Sequence, residues 1–164
     1  MLTARILSMY VIITHTLMRL LMNYMLHAIS MAELALNNDE VPVGAVLVNN
    51  DQIIAQAHNT CEANKNSLQH AEMLVIQQAI KDLKTPYLET CTLYVTLEPC
   101  PMCAAAIAQA RVGKVIFGAY DPKSGGIEHG PQIFKHSHFK PQVIGGALES
   151  QCSELLKNFF LKKR

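Results

Sequence analysis

The sequence predicts a layered α/β domain. Apolar runs suited to buried strands alternate with stretches of helical period, which is the pattern of strands joined through helices. The first two strand-like runs are separated only by Asn49-Asn50-Asp51, the signature of an antiparallel hairpin. The chain has 164 residues, within the ~100–200 of one domain, and it shows no repeat or linker. Its 50% hydrophobic and 16% charged content excludes disorder, coiled coil and collagen. Fourteen basic residues against 13 acidic leave +1, so a large non-specific polyanion-binding surface is excluded while a local basic patch stays open. Five cysteines, an odd number, exclude a fully paired disulfide framework.

The elements follow in order. Residues 1–22 hold an apolar run from Ile6 to Ile13 between Arg5 and Arg19. That run is well short of the ~20 residues a spanning helix needs. Thr14, His15, Thr16 and Arg19 follow it where a signal peptide would place small cleavage-site residues, so no membrane anchor or leader is expected. Residues 1–22 are therefore set apart as an extension, either an extra helix or sequence upstream of the true start, and 23–164 as a single domain. From Tyr24, an apolar face through Met25, Ala28, Ile29, Ala32 and Ala35 predicts a helix ended by Asn37-Asn38-Asp39. Val41–Val48 reads as a buried strand and Gln52–Ala57 as its hairpin partner, with a polar loop over His58–Gln69. His70–Leu83 has helical period, Thr92–Leu97 is a strand, Pro101–Ala110 a helix and Lys114–Gly118 a strand. Asp121–Pro141, rich in Gly, Pro and His, reads as a long functional loop. Gln142–Gly145 is a last strand and Glu149–Leu161 an amphipathic helix.

Two short segments carry chemistry, each opening a helix: His70-Ala71-Glu72, and Glu98-Pro99-Cys100-Pro101-Met102-Cys103 directly after a strand. Cys-x-x-Cys at a helix start puts two sulfurs on one side of the first turn, where free N–H groups and the positive dipole end favour thiolate. Pro101 suits an early helical position because its missing N–H would have no intrahelical partner. Such a pair alone also fits a redox couple or half of a structural zinc site. A catalytic zinc needs three protein ligands and one open position, and His70 is the best candidate for the third. One imidazole and two thiolates offset the charge of Zn²⁺, and the metal lowers the pKa of water from ~15.7 toward ~7. Glu72 would stand beside that water, accept its proton and deliver it to a ring nitrogen and a leaving amine. This is the apparatus of hydrolytic deamination, and His-x-Glu with a downstream Pro-Cys-x-x-Cys is the known signature of zinc deaminases. Of the remaining cysteines, Cys61 reads as a loop thiol, Cys91 as a small packed hydrophobe and Cys152 as a helix-face residue. Asn59 offers the paired donor and acceptor that a purine edge requires, although an ordinary turn residue there explains it as well.

From about Tyr24 to Lys163 the chain resembles the cytidine-deaminase-like zinc hydrolases, and within them the bacterial tRNA-specific adenosine deaminases. The resemblance rests on Glu40-Val-Pro-Val-Gly-Ala-Val-Leu-Val48, His58-Asn59, His70-Ala-Glu72, Thr96-Leu-Glu-Pro-Cys-Pro-Met-Cys103 and Val115-Ile-Phe-Gly-Ala-Tyr-Asp-Pro-Lys-Ser-Gly125. It implies a three-layer α/β/α domain around a mixed five-stranded sheet, a homodimer with one Zn²⁺ per subunit, and a cytoplasmic enzyme. The implied reaction converts adenosine to inosine at the wobble position of a tRNA anticodon stem-loop. Matched residue by residue, His70, Cys100 and Cys103 take the zinc ligands and Glu72 the proton shuttle. Asn59, Val41, Leu97, Glu98, Pro99, Asp121 and Lys123 take substrate-binding positions. Ile127–Lys135 departs from the Gly-Ser-Leu-Met-like stretch expected there, which bears on the grip on tRNA more than on the chemistry.

Basic residues from Arg111 to Arg164 load the second half with positive charge, enough for a few phosphates of a loop or for an ordinary solvated surface. Three other readings stand beside this one. A free-base deaminase of guanine or cytosine type uses the same zinc apparatus; a riboflavin-pathway deaminase spaces its second cysteine more widely; a non-catalytic zinc-binding partner subunit would have no use for Glu72.

Overall fold

The computed structural model describes residues 22–163; the extension read over residues 1–22 lies outside these apart from Met22. Helix α1 occupies residues 22–37. It is followed by β1 (Gly44–Asn49), β2 (Gln52–His58), α2 (Ala71–Leu83), β3 (Cys91–Leu97) and α3 (Pro101–Gln109). Then come β4 (Lys114–Ala119), α4 (Ile133–His136), β5 (Gln142–Ile144) and α5 (Glu149–Lys162).

The sheet has five strands in the order β2-β1-β3-β4-β5. β1 runs antiparallel to both β2 and β3, while β3, β4 and β5 run parallel. This is the mixed sheet that the resemblance implies. The hairpin turns on Asn50 and Asp51, both at positive φ (48° and 57°), the two-residue geometry whose twist matches the strands. Asn49, expected in the turn, instead pairs with Gln52 and Cys91. Val41–Val43 stand outside the sheet. Pro42 has no N–H to donate, and the Val43 N–H bonds back to the Val41 carbonyl at 2.7 Å.

Strand residues alternate between two cores. On one face Ala45, Leu47, Leu93, Val95, Val115 and Phe117 pack against Val75 and Ala79 of α2 and Ala104 and Ile107 of α3. On the other, Val46, Val48, Tyr94 and Ile116 meet Tyr24, Met25 and Ala28 of α1 and Cys152 of α5. The result is three layers. Gly44 allows the closest approach between two of them, since a Cβ there would lie 2.1 Å from the Ala28 carbonyl oxygen. The long loop expected over Asp121–Pro141 contains one feature that sequence pattern does not reveal, the single turn of α4.

Because β1 opposes both its neighbours, β2, β3 and β4 point the same way. Their carboxyl ends, His58, Leu97 and Ala119, therefore share one edge of the sheet. The segments leaving those ends carry Asn59, Glu98–Cys103 and Asp121, and α2 and α3 start above the same edge.

Candidate active site

A cleft of roughly 620 Å³ opens at that edge, lined among others by Val41, Asn59, His70, Glu72, Leu97, Cys100 and Asp121. His70 and Cys100 are the N-cap residues of α2 and α3, both with extended backbone, and Pro101 follows at the first helical position. Neither side chain caps its own helix; both turn toward each other. His70 Nδ1 lies 3.7 Å from Cys100 Sγ and 3.5 Å from Cys103 Sγ. All three candidate ligand atoms fall within 4.8 Å of one another. Donors bound at ~2.0–2.3 Å around a tetrahedral centre stand ~3.5 Å apart, so this group fits a zinc ion.

The electrostatics agree with that donor set. The hydrogen bond from Cys103, followed by that from His70, holds the Cys100 thiol down to about 4 in spite of burial. Cys103, the donor in that pair, is pushed up by the same bond and by burial. A divalent cation shared by both sulfurs displaces the proton between them. The bond to Cys100 raises His70, against its partial burial.

Three glutamates are buried around the cleft: Glu40 at 1% exposure, Glu72 at 3% and Glu98 at 2%. Two of them are structural. Glu40 Oε1 accepts the Ala63 N–H at 2.8 Å and so ties down the 60–66 loop. Glu98 Oε1 accepts the N–H groups of Ile127, Glu128 and His129 at 3.2, 2.8 and 2.9 Å. Its Oε2 accepts the Asp121 N–H at 3.1 Å and the His129 Nδ1–H at 2.7 Å. Burial pushes the Glu98 carboxyl up, but these donors outweigh it and hold it below its ordinary value. Glu72 differs. Its Oε2 is fully buried without a partner, one of two such side-chain atoms among the described residues, and burial raises its carboxyl above the usual range. A buried carboxylate oxygen without a donor costs stability, which makes Glu72 the odd one of the three.

The other residues singled out in the sequence divide by position. Asn59 is buried, and its Oδ1 accepts the Ala71 N–H at 2.9 Å; the first free donor of α2 is thereby satisfied, and Asn59 Nδ2 makes no hydrogen bond among the described residues. Val41 and Leu97 form cleft wall. Glu98 also borders the cleft, but its carboxylate is spent on the 121–129 loop. Pro99 is not part of the lining, and its carbonyl accepts the Gly126 N–H at 2.8 Å. Asp121 lines the cleft, with Oδ1 bound to the N–H groups of Lys123 and Ser124 at 3.1 and 3.0 Å. Lys123 is exposed outside it. Sequence reasoning missed Glu40 and Cys61 as lining residues. Glu40 opens the motif before Val41-Pro42, yet nothing in the sequence marks its burial.

Residues 21–164 match the MafB19-like deaminase family, which places the chain among the deaminases. The tRNA-specific adenosine deaminase of Bacillus subtilis (strain 168) is 50% identical over 143 residues, spanning 86% of this chain and 89% of the relative. A solved tRNA:A34 deaminase, studied for A-to-I editing at the wobble position of transfer RNA, superposes with a TM-score of 0.80 at 42% identity, covering 82% of this chain and 99% of that one. Guanine deaminase from Nitrosomonas europaea, at 20% identity and a TM-score of 0.74 over 84% of this chain and 83% of its own, shares the fold alone. The chain belongs to the family of tRNA-specific adenosine deaminases.

Proposed function

We propose that the protein hydrolytically deaminates adenosine to inosine at the wobble position of a tRNA anticodon stem-loop. The Glu72 carboxyl, buried beside the His70–Cys100–Cys103 group with Oε2 unpaired, carries this reading. His70, Cys100 and Cys103 would hold one Zn²⁺ per subunit, and zinc bound there supplies a water acidified toward ~7. Glu72 would take one proton of the attacking water and pass it to the purine nitrogen, then carry the remaining hydroxyl proton of the adduct to the departing amine, so that the amidine carbon gains oxygen and loses ammonia. Asn59 Nδ2 is left to donate to the base edge, since Oδ1 is engaged by Ala71. Val41 and Leu97 present apolar walls to the ring. Asp121 borders the position of the neighbouring nucleotide, and Lys123 stands beyond the cleft where it would meet phosphate.

The same reading takes residues 23–164 as one domain, a homodimer as the assembly, and the cytoplasm, where tRNA is modified, as the location; the family resemblance supports all three. The test incubates zinc-loaded protein with an arginine tRNA transcript bearing adenosine at the first anticodon position. Free guanine, adenosine and cytidine run in parallel. Inosine from the tRNA alone is expected. Turnover of a free base alone overturns the RNA assignment, and no turnover of any substrate overturns the enzyme reading.

A further inference from the structure

The stretch Ile127–Lys135 is where the chain departs from the pattern its family resemblance suggests, and within it His129 makes the shortest bond to Glu98. We infer that His129 is a positioning residue for the substrate rim of the cleft, acting through the Glu98 carboxylate. This rests on the deaminase reading above.

The geometry is a short relay. His129 Nδ1–H donates to Glu98 Oε2 at 2.7 Å, and the same oxygen accepts the Asp121 N–H at 3.1 Å. Asp121 lines the cleft, and its own Oδ1 folds the next two residues into a turn. One carboxylate oxygen thus joins the imidazole to the backbone of the cleft rim. Glu98 sits one residue after the end of β3, so the relay is referred to the rigid sheet. The carboxylate is enclosed tightly: a Cβ on Gly125 would lie 2.5 Å from Glu98 Oε1. The imidazole is itself held, edge-on to Tyr120 at 5.9 Å between centroids, and Tyr120 is edge-on to the buried Phe117 at 5.1 Å. His129 remains 37% exposed in its side chain, so the cleft rim is pinned from the outside by a group that does not line the cleft.

Removing the imidazole donor leaves Glu98 its four backbone partners, so the fold and the His70–Cys100–Cys103 group stay in place, while Oε2 loses its shorter bond and keeps only the 3.1 Å bond from the Asp121 N–H. The Asp121 backbone is then held less firmly. The cost falls on holding the nucleotide beside the target, not on the proton transfers at Glu72.

Two variants separate hydrogen bonding from packing. His129→Phe keeps a ring against Tyr120 but has no donor. His129→Asn loses the ring and restores an N–H one bond beyond Cγ, where Nδ1 stood. For the Phe variant, KM for the tRNA is expected to rise about tenfold (~1.4 kcal/mol) with kcat within twofold of wild type. Zinc content should be unchanged and amide exchange over residues 121–128 faster. His129→Asn is expected to restore KM and slow exchange. The inference is overturned by a wild-type KM or unaltered exchange in the Phe variant. It is equally overturned if kcat falls with KM unchanged, or if Asn and Phe are equally impaired. A wild-type protein inactive on tRNA overturns the proposed substrate, and the exchange comparison still decides whether His129 pins the rim.

Discussion

Replacing Glu72 by Gln should move activity and stability in unlike ways, and the structure sets both magnitudes. The two side chains have nearly the same shape, so α2 and its packing through Val75 and Ala79 are undisturbed. In the wild type Oε2 is buried without a donor, and burial disfavours the charged carboxylate. Gln removes that charge but introduces N–H groups in the same partner-poor place; a buried unsatisfied group costs ~1–3 kcal/mol in either form. The two effects oppose, leaving a net change of about 1 kcal/mol or less, or roughly 2–4 °C in Tm for a chain this size. Turnover has no such cancellation. An amide neither takes nor returns the water proton, and a positioned acid–base group contributes ~10²–10⁴-fold, or ~2.7–5.5 kcal/mol of barrier. The assay reads inosine in digested tRNA under single-turnover conditions, with zinc per chain and Tm measured on the same preparation. A variant retaining more than a tenth of wild-type turnover refutes the role of Glu72. So does one that loses zinc or melts far below wild type, since Glu72 would then be structural in the manner of Glu40 and Glu98.

Cys103→Ser should reduce zinc to a small fraction per chain and abolish turnover. If zinc stands near 100-fold above its Kd, losing it costs ~2.7 kcal/mol and lowers Tm by ~5–10 °C, and a chelator should shift wild type equally; a chelator-insensitive Tm with full activity would rule out the metal site. Asn59→Ala leaves the Ala71 N–H unsatisfied, at ~1–3 kcal/mol in urea unfolding. Asn59→Asp keeps the acceptor and should recover much of that stability while staying poorly active, whereas full turnover in the Asp variant would exclude Nδ2 as a base contact. Gly125→Ala forces a methyl group to within 2.5 Å of the Glu98 carboxylate and 2.6 Å of the Asp121 carbonyl oxygen. It should destabilise by ~1–3 kcal/mol and raise KM for tRNA with zinc retained, and unchanged unfolding and KM together would contradict the tight rim.

Local chemistry in the sequence was enough to place most elements, because each has a strong period or a stop signal close by. Asn37-Asn38-Asp39 ends α1, and Pro101 starts α3, each within a residue or two of the observed bounds. What pattern could not supply was pairing. The hairpin was legible from its turn, but the placement of β1 between β2 and β3 depends on burial of both faces of β1, a property of the assembled sheet. Pro42 was the clue that Val41–Val43 would not pair, and a continuous apolar run masked it. α4 has four residues, too few for any periodicity, and begins after Gln132 in a left-handed conformation that nothing in Gly130-Pro131-Gln132 demands.

The site divides along the same line. His70, Cys100 and Cys103 were legible because metal ligation constrains residue type and spacing at once. Glu40, Glu72 and Glu98 were not equally legible, although all three precede or open apolar elements and all are buried in the fold. Proximity in sequence to a ligand favours Glu72 and Glu98 alike, each two residues from a His or Cys ligand candidate. Their roles part only when donors are placed. Loop 121–129 surrounds Glu98 with N–H groups, whereas α2 carries Glu72 into a space beside sulfur and imidazole where Oε2 has no hydrogen-bond partner and burial outweighs the stabilising influence of its backbone, His70 and Cys103. A carboxylate with its bonds satisfied can only hold structure; one left wanting a proton beside a metal-fitting cluster is available for chemistry. That distinction comes from long-range loop geometry, so Glu98 read as a pocket wall in sequence becomes in three dimensions the anchor of the wall.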